Sequence, residues 1–173
     1  YDSSNRLDQI NVGVEVYDFN YGEDAHLAEV LGGEANIAFV WDGPLPISQT
    51  TSGAVNGSVD WTWEDGTLSL GSMSINGEVI DYTYDNDGLP LQIGAESLAY
   101  LANTYFLSQR KVGTAQVDYT YSEFGELSEL RARTGADLLR VQYTRDDLGR
   151  ITQAREALQG TTTTYDYSYD LLG

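Results

Sequence analysis

The carboxylates are the residues of this sequence whose types and spacing come nearest to chemistry. Asp85, Asp87 and Glu96 stand at the first, third and twelfth places of a calcium-binding loop, where oxygen ligands wrap a hard cation. Leu89 stands where the fifth ligand belongs, and Pro90 replaces the central glycine, so the loop fails as a calcium site. A looser ion site shared by neighbouring turns is a second reading. The plainer one is that Asp85, with Asp2, Asp42, Asp146 and Asp170, caps its own turn by accepting backbone hydrogen bonds. A glycosidase would need paired carboxyl groups roughly 5–10 Å apart in a cleft, a separation that sequence does not specify.

Other candidates are thinner. His26 is the only histidine and has no serine motif beside it, so it reads as a solvated turn residue rather than a general base. Gly125 and Gly149 lack the strand, glycine loop and helix of a phosphate-binding fingerprint. With no cysteine, disulfides, thiolate metal sites and a thiol nucleophile are excluded. Trp41, Trp61 and Trp63 could stack against sugar rings, but they also occupy positions where other stretches carry sheet-packing tyrosines. No catalytic, metal-binding or cofactor-binding residue is assigned, and no cofactor is expected.

The elements that carry these residues are repeats. Tyr82-Thr-Tyr-Asp-Asn-Asp-Gly-Leu-Pro-Leu91 reads as a strand, a polar turn and a returning strand. Edited copies are Tyr1–Leu7, Phe19–Leu27, Phe39–Leu45, Trp61–Leu68, Tyr119–Leu127, Tyr143–Ile151 and Tyr167–Gly173, with a degenerate copy around Leu98-Ala-Tyr100. Taking the second aromatic as marker gives positions 1, 21, 41, 63, 84, 100, 121, 145 and 169, with Arg145 substituting for an aromatic. A period in the low twenties is a solenoid-like or shell-like signature.

The recurring pattern Tyr-x-Tyr-Asp-x-x-Gly-Arg-Leu, carried best by Tyr1–Leu7, Tyr143–Ile151 and Tyr167–Gly173, resembles the YD repeat of the RHS family. That family includes bacterial RHS proteins, toxin-complex shell proteins and teneurin-like YD shells. The resemblance implies an all-β array of antiparallel hairpins forming a curved or spiralling sheet, with residues 1–173 a fragment of one repeat region. About eight or nine hairpins are expected, including the degenerate one near 95–115. It also implies a non-enzymatic shell or scaffold segment whose parent encapsulates a C-terminal toxin cargo or forms a structural stalk, or alternatively a surface adhesin module binding glycan or protein. The parent would be secreted or cell-surface associated. Its partners would be the rest of the shell, an enclosed toxin domain, or a glycan or protein ligand. Nothing matches the family's self-cleaving aspartate region. Both ends look like cuts in a longer protein, and exposed sheet edges there could pair with a second chain.

Composition agrees with this reading. A net charge of −18 in 173 residues would be repelled by nucleic acid and by anionic membranes. No apolar run reaches the ~18 residues of a membrane span. Thirteen tyrosines and eighteen glycines favour strands and tight turns. The length suffices for one hydrophobic core.

Particular segments carry sharper expectations. Val12, Val14 and Val16 alternate as one strand within residues 1–18. Thr50–Gly53 reads as a turn or short loop, Asn76-Gly77 as a hairpin turn, and Gly135–Asp137 as another turn. Glu96–Arg110 admits a helical stripe or a hairpin turning at Ala102–Thr104, and the repeat register favours the hairpin. Thr161–Tyr169 reads as one strand. Arg6 and Arg150 are expected to pair with turn carboxylates or neighbouring acceptors. Arg145 is expected to cover apolar surface while its guanidinium reaches water.

Overall fold

The computed structural model describes residues 1–170 and is all β, an array of antiparallel strands joined by turns. It divides into two compact units, residues 1–82 and 83–173. The first holds β1 (Gln9–Val12), β2 (Glu15–Tyr21), β3 (Leu27–Gly32), β4 (Ala35–Asp42), β5 (Leu45–Gly53), β6 (Gly57–Trp63), β7 (Leu70–Ile75) and most of β8 (Glu78–Tyr84). Each of these strands pairs antiparallel with the next in sequence. The second unit holds β9 (Pro90–Ile93), β10 (Glu96–Tyr100), β11 (Leu107–Val112), β12 (Ala115–Tyr121), β13 (Leu127–Thr134), β14 (Ala136–Arg145), β15 (Ile151–Leu158) and β16 (Thr161–Asp166), paired in the same way.

Period-two alternation gives each sheet an apolar and a polar face. In β4, Ala35, Ile37, Phe39 and Trp41 are half-buried while Asn36, Ala38, Val40 and Asp42 are exposed. Cross-strand register extends the apolar face through Phe19–Val30–Ile37 in the first unit and Tyr119–Leu130–Val141 in the second. The polar faces are tied by side chains on adjacent strands: Ser48 Oγ donates to Asp60 (2.8 Å), Gln109 and Arg133 donate to Asp118 (2.9 and 3.0 Å), and Arg140 and Gln142 donate to Glu129 (2.8 and 2.9 Å). Cations are unevenly shared. The first 82 residues carry fourteen carboxylates against the single cation Arg6, net −13; the remainder carry thirteen against eight, net −5.

The length would suffice for a hydrophobic core, but none forms among the described residues. Among the described residues only Ala154, at 8% exposure, is buried, because a meander in which each strand lies beside its sequence neighbour builds a single layer with two open faces. Ala154 owes its burial to Tyr143 and Tyr165, its register partners on either side.

Turns depart from the sequence reading in several places. Val12, Val14 and Val16 do not share a strand: Val12 pairs with Glu15, and Gly13 (φ +65°) turns the chain so that Val14 is 99% exposed at the tip. Thr50–Gly53 belongs to β5, whose partner strand β4 extends to Ala35, and the turn falls after it. Gly135 turns alone between paired Thr134 and Ala136, placing Asp137 in β14. β16 ends at Asp166, and the Tyr167 N–H continues the ladder to the Thr152 carbonyl (2.9 Å). Glu96–Arg110 is the hairpin β10–β11, turning at 102–104. Asn76-Gly77 is a two-residue turn with both φ positive (+51° and +87°), as that pair favours.

Candidate functional site

The repeat unit is built from an aspartate turn. Asp2 Oδ1 accepts from the N–H groups of Ser4 and Arg6, Asp85 Oδ1 from those of Asp87 and Leu89, and Asp146 Oδ1 from those of Leu148 and Arg150, all at 2.8–3.0 Å. Ser122 Oγ replaces the carboxylate in its turn, accepting from Phe124 and Glu126. Gly88, Gly125 and Gly149 sit at φ near +80°, where a β-carbon would be strained. The capping expected of Asp2, Asp85 and Asp146 is therefore present. Asp42 belongs to a shorter turn, pairing with Leu45 across Gly43-Pro44. The turn after Asp170 lies outside the described residues.

From the turn the chain returns to a strand, and in seven repeats the carbonyl at the start of that return receives the marker of the next repeat. The Tyr21 hydroxyl donates to Leu7 O (2.9 Å), Trp41 Nε1 to Leu27 O (2.8 Å) and Trp63 Nε1 to Pro46 O (2.8 Å). In the second unit the hydroxyls of Tyr100, Tyr121 and Tyr169 donate to the carbonyls of Pro90, Leu107 and Ile151 at 2.9, 2.9 and 2.8 Å. Arg145 makes the same bond from Nη2 to Leu127 O (3.1 Å) and a second from Nη1 to Gly149 O (3.1 Å). Its guanidinium is thus bound into the sheet rather than released to water, because it performs the tyrosine's donation.

Register shifts fall at the markers Tyr21, Trp41, Trp63, Tyr100, Tyr121 and Arg145. Such a bulge re-aims a side chain, here toward the previous hairpin's backbone. Burial raises the Tyr100 and Tyr121 hydroxyls above the ordinary tyrosine range, with the charges of Asp85 and Tyr119 adding to it. Both remain donors at neutral pH.

In five repeats the residue just before the acceptor carbonyl meets the incoming marker. Arg6 lies 4.4 Å over the Tyr21 ring and Arg150 lies 4.6 Å over Tyr169, each guanidinium also held by the aspartate of its own turn. His26 stacks on Trp41 (4.9 Å, 19°) while its Nδ1 meets Asp24 at 2.8 Å. Phe106 stacks on Tyr121 (4.9 Å, 20°), and Glu126 lies 3.6 Å from the Arg145 guanidinium. The cover changes with the marker: a cation or a ring over an aromatic, a carboxylate beside an arginine. Leu89 holds this place before Pro90, the acceptor for Tyr100.

Trp41 and Trp63 thus spend their indole N–H on the sheet, and one face of Trp41 is covered by His26. Trp61 lies in β6 opposite Met73 on the apolar face. Among the described residues no group of three His, Cys, Asp or Glu side chains is arranged to hold a metal ion. Asp85 and Asp87 share a turn, while Glu96 lies in β10 with its carboxylate engaged by Arg110 (2.6 Å).

The sequence profile of the Teneurin YD-shell family matches all of residues 1–173. The chain belongs to that family. Among solved structures, this YD-shell chain is similar to the crystal structure of TcdB2-TccC3-Cdc42, with 14% identity and a TM-score of 0.60 over 91% of this chain and 12% of that one. It is similar also to TcdB2-TccC3-TEV (14%, 0.59, 91% and 12%) and to TcdB2-TccC3 (14%, 0.56, 85% and 11%). At that identity the likeness is one of fold, and the chain spans about an eighth of those proteins' length. No curated protein matches. The YD-shell ladder of markers and covers therefore accounts for the repeated motif in structural terms.

Proposed function

We propose that this chain is a stretch of wall in a larger YD-shell protein, a non-enzymatic scaffold whose parent encloses a polypeptide cargo. The observation that carries this reading is that both units are antiparallel meanders of successive strands, with one buried residue among the described residues. An enzyme domain of this length would bury a core to hold a cleft rigid. Here rigidity comes from bonds between successive hairpins, which suits an extended surface. The sequence likeness to a shell family and the fold shared with TcdB2-TccC3 support the same reading. The three tryptophans serve the wall in this account, and the parent is secreted or surface-associated. The outer edges of β1 and β16, which no described strand covers, pair with further repeats of the parent.

Electron cryomicroscopy of the intact parent tests this. The expected map places residues 1–170 in a single-layer wall around an enclosed volume containing density for another part of the parent. A map in which these residues stand as an open module, with both faces in bulk solvent, overturns the enclosure.

A further inference from the structure

At the Asp85 turn the covering position carries no charged or aromatic side chain. Turns at Asp2 and Asp146 end in Arg6 and Arg150, whose guanidinium groups bind the turn carboxylate and lie over the next marker ring. The Asp85 turn has the same length and the same backbone bonds: the Asp85 N–H donates to Leu89 O (2.9 Å) and the Gly88 N–H to Asp85 O (3.1 Å). It ends in Leu89 instead. Asp85 Oδ1 is occupied by the turn, but Oδ2, which takes the guanidinium in the other two turns, has no side-chain donor among the described residues. Beside it opens a cavity of about 410 Å³ lined by Asp85, Asp87, Leu89, Tyr100 and the segment Leu101–Tyr105. Tyr105 projects there, 76% exposed.

The geometry points to this cavity as a docking site for an arginine side chain of another polypeptide. The same chain twice places a guanidinium between a turn aspartate and the next marker tyrosine, so the site is the vacant counterpart of an arrangement the fold already uses. Asp87 adds a second carboxylate, and Tyr100 offers the ring that Arg6 and Arg150 cover elsewhere. A planar cation fits this combination of carboxylate and aromatic face better than a compact ammonium. The inference concerns a surface of residues 85–105 and holds whether or not the parent encloses cargo.

Titration of the isotopically labelled chain with the blocked tripeptide acetyl-Gly-Arg-Gly-amide, followed by amide NMR, tests it. Expected are saturable shifts at Asp87, Gly88 and Leu101–Tyr105, weaker with the lysine peptide and absent with the citrulline peptide, which keeps the shape and loses the charge. Leu89→Arg supplies the cation from within and should weaken peptide binding by about tenfold or more. Asp87→Asn, which leaves the turn's Asp85 cap in place, should weaken it less. No saturable shift at these residues, equal binding of citrulline, or unchanged binding to a folded Leu89→Arg chain would each overturn the proposal. Saturable shifts with free arginine amide but none with the tripeptide would also overturn it, since the site would then take a small guanidinium and not a polypeptide's side chain.

Discussion

Arg145 reaches the carbonyl of Leu127 with Nη2 at 3.1 Å, the bond that Tyr121 makes to Leu107 at 2.9 Å one repeat earlier. The marker position is therefore defined by a donor of the right reach, and aromaticity is one way to provide it. Removing that donor should loosen the junction between hairpins. Tyr121→Phe keeps the ring under Phe106 and loses only the bond, so it should cost about 0.5–1.5 kcal/mol in urea unfolding. Arg145→Met, losing two bonds, should cost more.

Cover and marker should behave as a coupled pair. Glu126→Arg places a cation against Arg145, and Arg145→Tyr leaves Glu126 facing a ring. Each single change should destabilise, whereas the double change rebuilds the Arg150–Tyr169 arrangement. A double-mutant cycle should give a favourable coupling of roughly 0.5–3 kcal/mol. Additive effects would mean that the two side chains act independently.

Ala154 is the tightest point of the second unit, held between Tyr143 and Tyr165. Ala154→Leu should force the tyrosines apart and destabilise by about 1–3 kcal/mol. Hydrogen exchange should quicken first in β15 and β16, and leave β10 and β11 nearly unchanged.

Backbone strain is stored at Leu68, a side chain 66% exposed on a residue with φ +59°. Leu68→Gly should stabilise the chain by about 1 kcal/mol, while Gly149→Ala, at φ +79°, should destabilise it by a similar amount. Thermal melts of the two variants should move in opposite directions.

Acid should weaken the turns. Hydrogen bonds from Arg6, backbone first, hold the Asp2 carboxyl below its usual range; burial pushes Asp146 up, but bonds from Arg150 and Leu148 outweigh it. The Arg140 guanidinium likewise lowers Glu129. A group lowered in the folded state contributes stability above its unfolded value of about 4, and that contribution is lost as pH falls through the folded value. The melting temperature should therefore drop below about pH 4, and Asp146→Asn should flatten part of that drop.

Much of the fold was legible because the repeat announces itself many times. The markers at 21, 41, 63, 100, 121, 145 and 169 are the residues that donate between hairpins, and Asp2, Asp85 and Asp146 cap their turns. The covers went unread because Arg6, His26, Phe106 and Glu126 share no chemistry; their common signal is only their place, one residue before the strand-starting Leu or its equivalent. Gly13 was misread because a glycine between valines satisfies strand alternation as well as a turn does. The missing core could not be inferred from length, since a single layer and a closed domain can have the same number of residues and the same apolar fraction.

The central claim, that this sheet is a wall with two unlike sides, is tested most directly by cysteine reactivity in the intact parent. The chain has no cysteine of its own, so Val40→Cys and Ile75→Cys, exposed positions on the polar and apolar faces, give clean probes of its two sides. The account predicts that a bulky maleimide labels one and spares the other until the parent is unfolded. Equal labelling of both in the native parent would contradict it.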